Sequence, residues 1–149
     1  MKYVLADSHA KPLSKKEVLQ LLARPNILRV AFVDRKGEPM VHPVWYHYSK
    51  ERFYFATDKD GTKAKVLREN PTVYFLVDEV PGDRPSLGVR GKGTARVIDD
   101  TKYATDITRR CVKRYLGTTK SKTAKTIIAM GADSCVVEIT PRFIATWKF

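Results

Sequence analysis

The stretch from Pro39 to Pro71 reads PMVHPVWYHYSKERFYFATDKDGTKAKVLRENP and holds two strands, a helix and most of the candidate chemistry. Met40–Tyr48 and Arg52–Thr57 are rich in β-branched and aromatic residues and flank a short polar turn at Ser49–Glu51, which predicts an antiparallel pair. From Thr62 to Glu69 the spacing of Ala64, Val66 and Leu67 suits a short helix, and Asn70-Pro71 ends it. Thr57 thus closes a strand while Thr62 and Lys63 open a helix. A helix N-terminus presents free amides and the positive end of a dipole, a setting that suits phosphate. Lys63 adds a full charge and the threonine hydroxyls add donors. Val44, Trp45 and Tyr46 bring backbone and planar side chains to line a flat ring. These residues together suggest a phosphorylated aromatic ligand; the plainer alternative is a capped surface helix with a solvated lysine.

Working outward, Ser14 and Glu17 form a capping box, and Val18, Leu19, Leu21 and Leu22 give the helix an apolar face that Pro25 closes. Ile27–Val33 is a strand, turned by Asp34-Arg35-Lys36-Gly37 into the next. Thr72–Val77 resumes as a strand, and Asp78–Pro85 is the longest predicted loop, a candidate functional segment. A long strand runs from Ser86 to Ile98, punctuated by Gly88, Gly91 and Gly93, which mark bulges or barrel corners. Two helices follow, over Asp99–Leu116 and Lys120–Met130, then strands over Ser134–Thr140 and Phe143–Lys148. Strands joined by tight turns argue against a doubly wound parallel sheet and favour a small barrel. The fold class is α+β, an antiparallel β-barrel core with flanking helices.

The chain has 149 residues, the size of a single domain over 1–149 that can bury its own core without staples. With 43% apolar and 30% charged residues it is neither disordered nor fibrous. It carries no membrane-length apolar run and no signal-like start, so a cytoplasmic protein is expected. The 28 Lys and Arg against 16 Asp and Glu leave +12, which favours anionic partners without choosing among them. Cys111 and Cys135 lack CxxC spacing and read as reduced and buried. His42 and His47, five apart on one predicted strand, face opposite ways and cannot share a metal, so no metal site is assigned. No nucleophile elbow or phosphate-cradling glycine loop is present. Catalytic residues are therefore left unassigned.

Four motifs in order resemble the pyridoxamine 5′-phosphate oxidase-like, FMN-binding split-barrel family. They are Gly37-Glu38-Pro39 through Pro43-Val44-Trp45-Tyr46; Thr57, Lys63 and Asn70-Pro71; Gly93-Thr94-Ala95-Arg96-Val97-Ile98-Asp99; and Val137-Glu138-Ile139-Thr140-Pro141 through Trp147. The resemblance implies a split barrel and a homodimer with FMN at the subunit interface. It implies phosphate contacts from Thr57, Thr62 and Lys63, and a ring lying along Pro43, Val44, Trp45 and Tyr46. The partner would close the site through the Gly93 strand or the Trp147 end, with Arg90, Lys92 and Arg96 as candidates, though a solvated face is the plainer reading for these three.

Two departures argue against oxidation of the vitamin itself. Arg142-Phe143-Ile144 stands where true pyridoxamine phosphate oxidases carry Arg-x-His, and Thr62 stands where the family often has Arg before the lysine. An FMN-dependent oxidoreductase with unassigned small-molecule substrate is the first expectation. A deazaflavin coenzyme, whose acidic tail suits the positive charge, is the alternative. A basic barrel binding nucleic acid through interleaved aromatics such as Tyr46, Tyr48 and Phe53 is the third; because about half of those aromatics must fill the barrel, nucleic acid is the least favoured partner.

Overall fold

Leu28, Val30 and Phe32 turn to one side of their strand and are buried, while Arg29 and Val33 on the other side stay exposed. This period-two alternation curls the sheet around one core. The computed structural model describes residues 1–149. In chain order the elements are β1 (Lys2–Leu5), α1 (Lys15–Ala23), β2 (Leu28–Val33), β3 (Pro39–Val44), β4 (His47–Ser49), β5 (Arg52–Asp58) and α2 (Thr62–Glu69). Then follow β6 (Thr72–Glu79), β7 (Leu87–Ile98), α3 (Thr101–Leu116), α4 (Lys122–Ala129), a 3-10 turn (Met130–Asp133), β8 (Ser134–Pro141) and β9 (Phe143–Lys148).

The nine strands form one sheet ordered β3-β2-β6-β7-β8-β5-β4, with β9 on β7 and β1 on β9. Strand β7 is the pivot. One edge pairs with β6 over Leu87–Thr94, but the other is divided: Leu87–Arg90 pairs with β9 and Gly93–Ile98 with β8. The sheet forks at Gly91, where a Cβ would lie 2.1 Å from the Phe143 carbonyl oxygen. Gly88 admits the Trp147 ring in the same way, 2.5 Å from where its own Cβ would be. Of the glycines predicted to mark corners, Gly88 and Gly91 therefore mark close approach of β9 to β7, and Gly93 that of β8. The architecture is an α+β split barrel, as expected.

Inside the curl, Phe53, Phe55, Phe75, Leu28, Ile139 and Ile144 pack with Leu21 and Leu22 of α1, all fully or almost fully buried. A second, smaller cluster lies outside the sheet, where Ala104, Ile107 and Cys111 of α3 cover Tyr54 and Val136. Strand β5 consequently buries Phe53, Tyr54 and Phe55 in succession, because both its faces are covered.

Three expectations are corrected. The predicted strand Met40–Tyr48 is two strands, broken at Trp45 and Tyr46. Strand β1 was not foreseen; it runs parallel to β9 with Lys2 opposite Phe143. The loop expected over Asp78–Pro85 is shorter, because β6 extends through Asp78 and Glu79, which pair with Arg29 and Arg24.

The β4–β5 hairpin turns through Lys50 and Glu51, both in the left-handed region at φ 50° and 59°. Side chains with a Cβ resist that conformation, and Asn-Gly suits it. Replacing Lys50-Glu51 by Asn-Gly is expected to stabilise the fold by about 1 kcal/mol, read as a higher urea midpoint.

The capping box of α1 is formed, and Lys148 of β9 extends it by donating to Glu17 Oε1 at 2.6 Å. The Lys148 bond and the Ser14 amide hold the Glu17 carboxyl at about 2, below its ordinary value near 4.5. A depressed carboxyl stabilises the fold above its unfolded pKa and loses that contribution as pH falls through its folded pKa. The urea midpoint is therefore expected to drop between about pH 4.5 and 2, and Glu17→Gln should flatten that part of the profile.

Candidate functional site

Where β3 ends, the chain leaves its partner strand at Val44 and turns Trp45 outward over α3. The end of β5 brings Ala56 and Thr57 alongside, and the first turn of α2 brings Lys63. Together with Thr108 and Cys111 of α3 and Ile127 of α4, residues Pro43, Val44, Trp45, Ala56, Thr57 and Lys63 line a cleft of about 270 Å³. The cleft shares Ala56, Thr57, Thr108 and Ile127 with a broader hollow of about 610 Å³ running toward Asp58, Asp60 and Asp133.

Five sequence-predicted residues, Pro43, Val44, Trp45, Thr57 and Lys63, thus meet on one cleft. Two others do not line it. Thr62 opens α2 as predicted but lies outside the lining. Tyr46 is fully buried, and its hydroxyl donates to the Leu22 carbonyl at 3.0 Å, so its ring belongs to the core. The chain alternates sides at the break: Trp45 goes to the cleft, Tyr46 inward. Arg90, Lys92 and Arg96 stand elsewhere. Arg90 donates to the Ala6 carbonyl, Arg96 pairs with Glu138, and Lys92 is exposed.

At the start of α2, Gly61 supplies no side-chain cap. The Lys63 ammonium has no carboxylate partner, and its one polar side-chain neighbour is His42 Nδ1 at 3.5 Å. An ammonium only donates, so Nδ1 accepts and the ring proton sits on Nε2. Burial and the Lys63 charge hold His42 below the ordinary histidine range, which keeps it neutral at pH 7. His42 stacks on Phe32 with centroids 5.3 Å apart. Burial pushes the Cys111 thiol up to about 11, so it lines the cleft as an unreactive thiol at neutral pH. The cleft can therefore bind an anionic group at one end and a planar group along the Pro43–Trp45 wall. It carries no paired acid and base.

Thr108, Cys111 and Ile127 were missed by sequence reasoning. They come from two helices whose apolar spacing predicts packing and gives no sign of which turn borders a cleft.

The sequence profile of the pyridoxamine 5′-phosphate oxidase family matches residues 14–148. The chain belongs to that family. A pyridoxine/pyridoxamine 5′-phosphate oxidase of Crocosphaera subtropica is 32% identical over 97 residues, covering 64% of this chain and 44% of that enzyme. The chain spans less than half the length of the curated relatives it matches. Among solved structures, an F420 reductase superposes with a TM-score of 0.64 at 25% identity, over 85% of this chain and 94% of the other. A FAD-binding protein from Mesorhizobium loti gives 0.71 at 23% identity, over 95% and 99%, a likeness of fold. Pyridoxamine 5′-phosphate oxidase-like split barrels thus share the architecture described above.

Proposed function

We propose that this protein is a flavin-dependent oxidoreductase that binds FMN in the Pro43–Lys63 cleft. The observation that carries this reading is Lys63: an ammonium without a carboxylate partner, at a helix start with no side-chain cap, opening on the cleft walled by Trp45. In this reading Lys63 and Thr57 hold the flavin phosphate, with Thr62 contributing its amide at the helix start. Pro43, Val44 and Trp45 border the isoalloxazine ring, and Tyr46 serves through its backbone. The flavin, when bound, supplies hydride or electron transfer. The chain orients it: Trp45 limits its tilt, neutral His42 leaves the Lys63 charge free for the phosphate, and Ile127 and Cys111 exclude water from one side. The structural likeness to a FAD-binding protein and an F420 reductase supports a flavin or deazaflavin cofactor. A visible spectrum of protein gel-filtered after adding FMN tests the reading; a retained flavin band near one per chain supports it. No band with FMN, but retention of a deazaflavin coenzyme, moves the assignment to the second cofactor, which the net charge of +12 also suits.

We further infer a homodimer. Val41 of β3, 63% exposed, lies with Ala31, Tyr74, Leu76 and Trp147 around an apolar hollow of about 420 Å³ on the outer sheet face. A second copy of the chain would cover it. Val41→Glu is expected to convert the dimer into monomer by light scattering, and to weaken FMN retention if the partner closes the site.

A further inference from the structure

Arg114 is a guanidinium set into the cleft's supporting wall with no carboxylate beside it. Nη1 donates to the Tyr46 carbonyl at 2.8 Å and Nη2 to the Leu22 carbonyl at 2.8 Å, with a further bond to the Arg24 carbonyl. Its Nε is buried and has no acceptor. Three carbonyls from two separate segments therefore converge on one side chain of α3. The guanidinium carbon lies 4.3 Å from the Tyr46 ring centroid and 5.2 Å from that of Tyr115. Tyr115 in turn lies flat on Trp45, with centroids 4.8 Å apart and planes 3° from parallel. The contacts run in series from Tyr46 through Arg114 and Tyr115 to Trp45, and Trp45 borders the cleft.

The backbone gives this series its purpose. Trp45 and Tyr46 sit in the break between β3 and β4, where neither pairs with a neighbouring strand. An unpaired buried backbone group is costly, so something must replace the ladder. Here α3 does: the Tyr46 amide donates to the Tyr115 hydroxyl at 3.4 Å, and the Tyr46 carbonyl accepts from Arg114. The Tyr115 hydroxyl itself donates to the Asn26 carbonyl at 2.6 Å. A half-buried cation held by carbonyls and ring faces, with no carboxylate, is an expensive way to fill space, where a methionine would pack at no charge cost. What the guanidinium offers beyond volume is a planar fork that fixes several carbonyls at once.

We propose that Arg114, acting with Tyr115, is the positioning residue for Trp45: it locks the 45–46 break so that the indole stands as a rigid wall against which a planar heteroaromatic ring is placed. This rests on the reading of the cleft as a flavin site. Arg114 touches neither ring nor phosphate; it acts through Tyr115 and the backbone.

The test titrates FMN and riboflavin into Arg114→Lys and Tyr115→Phe, and records near-ultraviolet circular dichroism of the ligand-free proteins. The Trp45 component is defined by subtracting the spectrum of Trp45→Phe. Arg114→Lys keeps the charge and loses the fork. It is expected to weaken FMN and riboflavin alike by roughly tenfold, because a wall no longer held in place must be ordered on binding, leaving their affinity ratio unchanged because Lys63 is untouched. Its Trp45 dichroic band is expected to shrink. If Arg114→Lys only lowers the melting temperature, with both affinities and the Trp45 band intact below it, the residue is merely structural and the proposal is overturned. Should Arg114→Lys fail to fold, Tyr115→Phe decides, since it keeps the stacked ring and removes only the hydroxyl contacts. A reduced band and weaker riboflavin binding then support the proposal, and wild-type values overturn it. If the wild-type protein binds neither flavin, the cofactor reading is wrong, and the dichroic band alone judges whether Arg114 holds Trp45.

Discussion

Lys63→Ala is expected to weaken FMN binding by roughly 10- to 150-fold, the equivalent of about 1.5–3 kcal/mol for a hydrogen bond to a charged group. The substitution breaks no ion pair, because the ammonium meets only His42 Nδ1 at 3.5 Å. Alanine is also the better helix former in the first turn of α2. The melting temperature should therefore hold while affinity falls, a separation that marks a binding residue. Riboflavin, which lacks the phosphate, should bind the variant and the wild type equally. Isothermal titration with both ligands checks this, and an unchanged FMN affinity would show that the phosphate end of the cleft is misplaced.

Gly91→Ala is expected to be the most damaging single methyl group in the protein. Its Cβ would stand 2.1 Å from the Phe143 carbonyl oxygen and 2.8 Å from Phe75 Cζ. The first of these is backbone, pinned by the β7–β9 pairing and by the Arg142 amide donating to the Lys92 carbonyl at 2.8 Å, so it cannot swing aside. Overpacking of this kind costs about 1–3 kcal/mol or more, and here the upper end applies because strands must separate. Against a total of roughly 5–15 kcal/mol, that predicts a melting temperature lower by about 10 °C or insoluble protein. Gly82→Ala is the control: nothing lies within 4 Å of the Cβ it would add, and the two variants should differ sharply in thermal unfolding.

Most strands and every helix were legible because their signals are local. Leu28, Val30 and Phe32 alternate, Ser14 and Glu17 cap α1, and Asp100 and Gly117 bound α3. The place of Lys63 was legible for the same reason, since a lysine in the first turn of a helix needs no tertiary information. The break at Trp45 and Tyr46 was not. In sequence, VWYHY is as rich in β-branched and aromatic residues as an unbroken strand, and only Arg114 and Tyr115, almost seventy positions later, satisfy the backbone that the break leaves unpaired. Strand β1 hides for a different reason. Its residues are mostly exposed, so no apolar rhythm announces it, and the parallel pairing with β9 involves no turn motif. Thr108, Cys111 and Ile127 were invisible as cleft residues because helix spacing states which side is buried and leaves open against what.

The parallel seam between β1 and β9 also bears on how the molecule comes together. Lys2 meets Phe143 and Leu5 meets Thr146, pairings of very large sequence separation, and β7 must already be in place to receive β9. Contacts that close so long a loop are gained late, after the entropy of closure has been met by the rest of the barrel. The seam is thus the zip fastened last: refolding should show β6, β7 and β8 protected against amide exchange early, with β1 acquiring protection in the slowest phase.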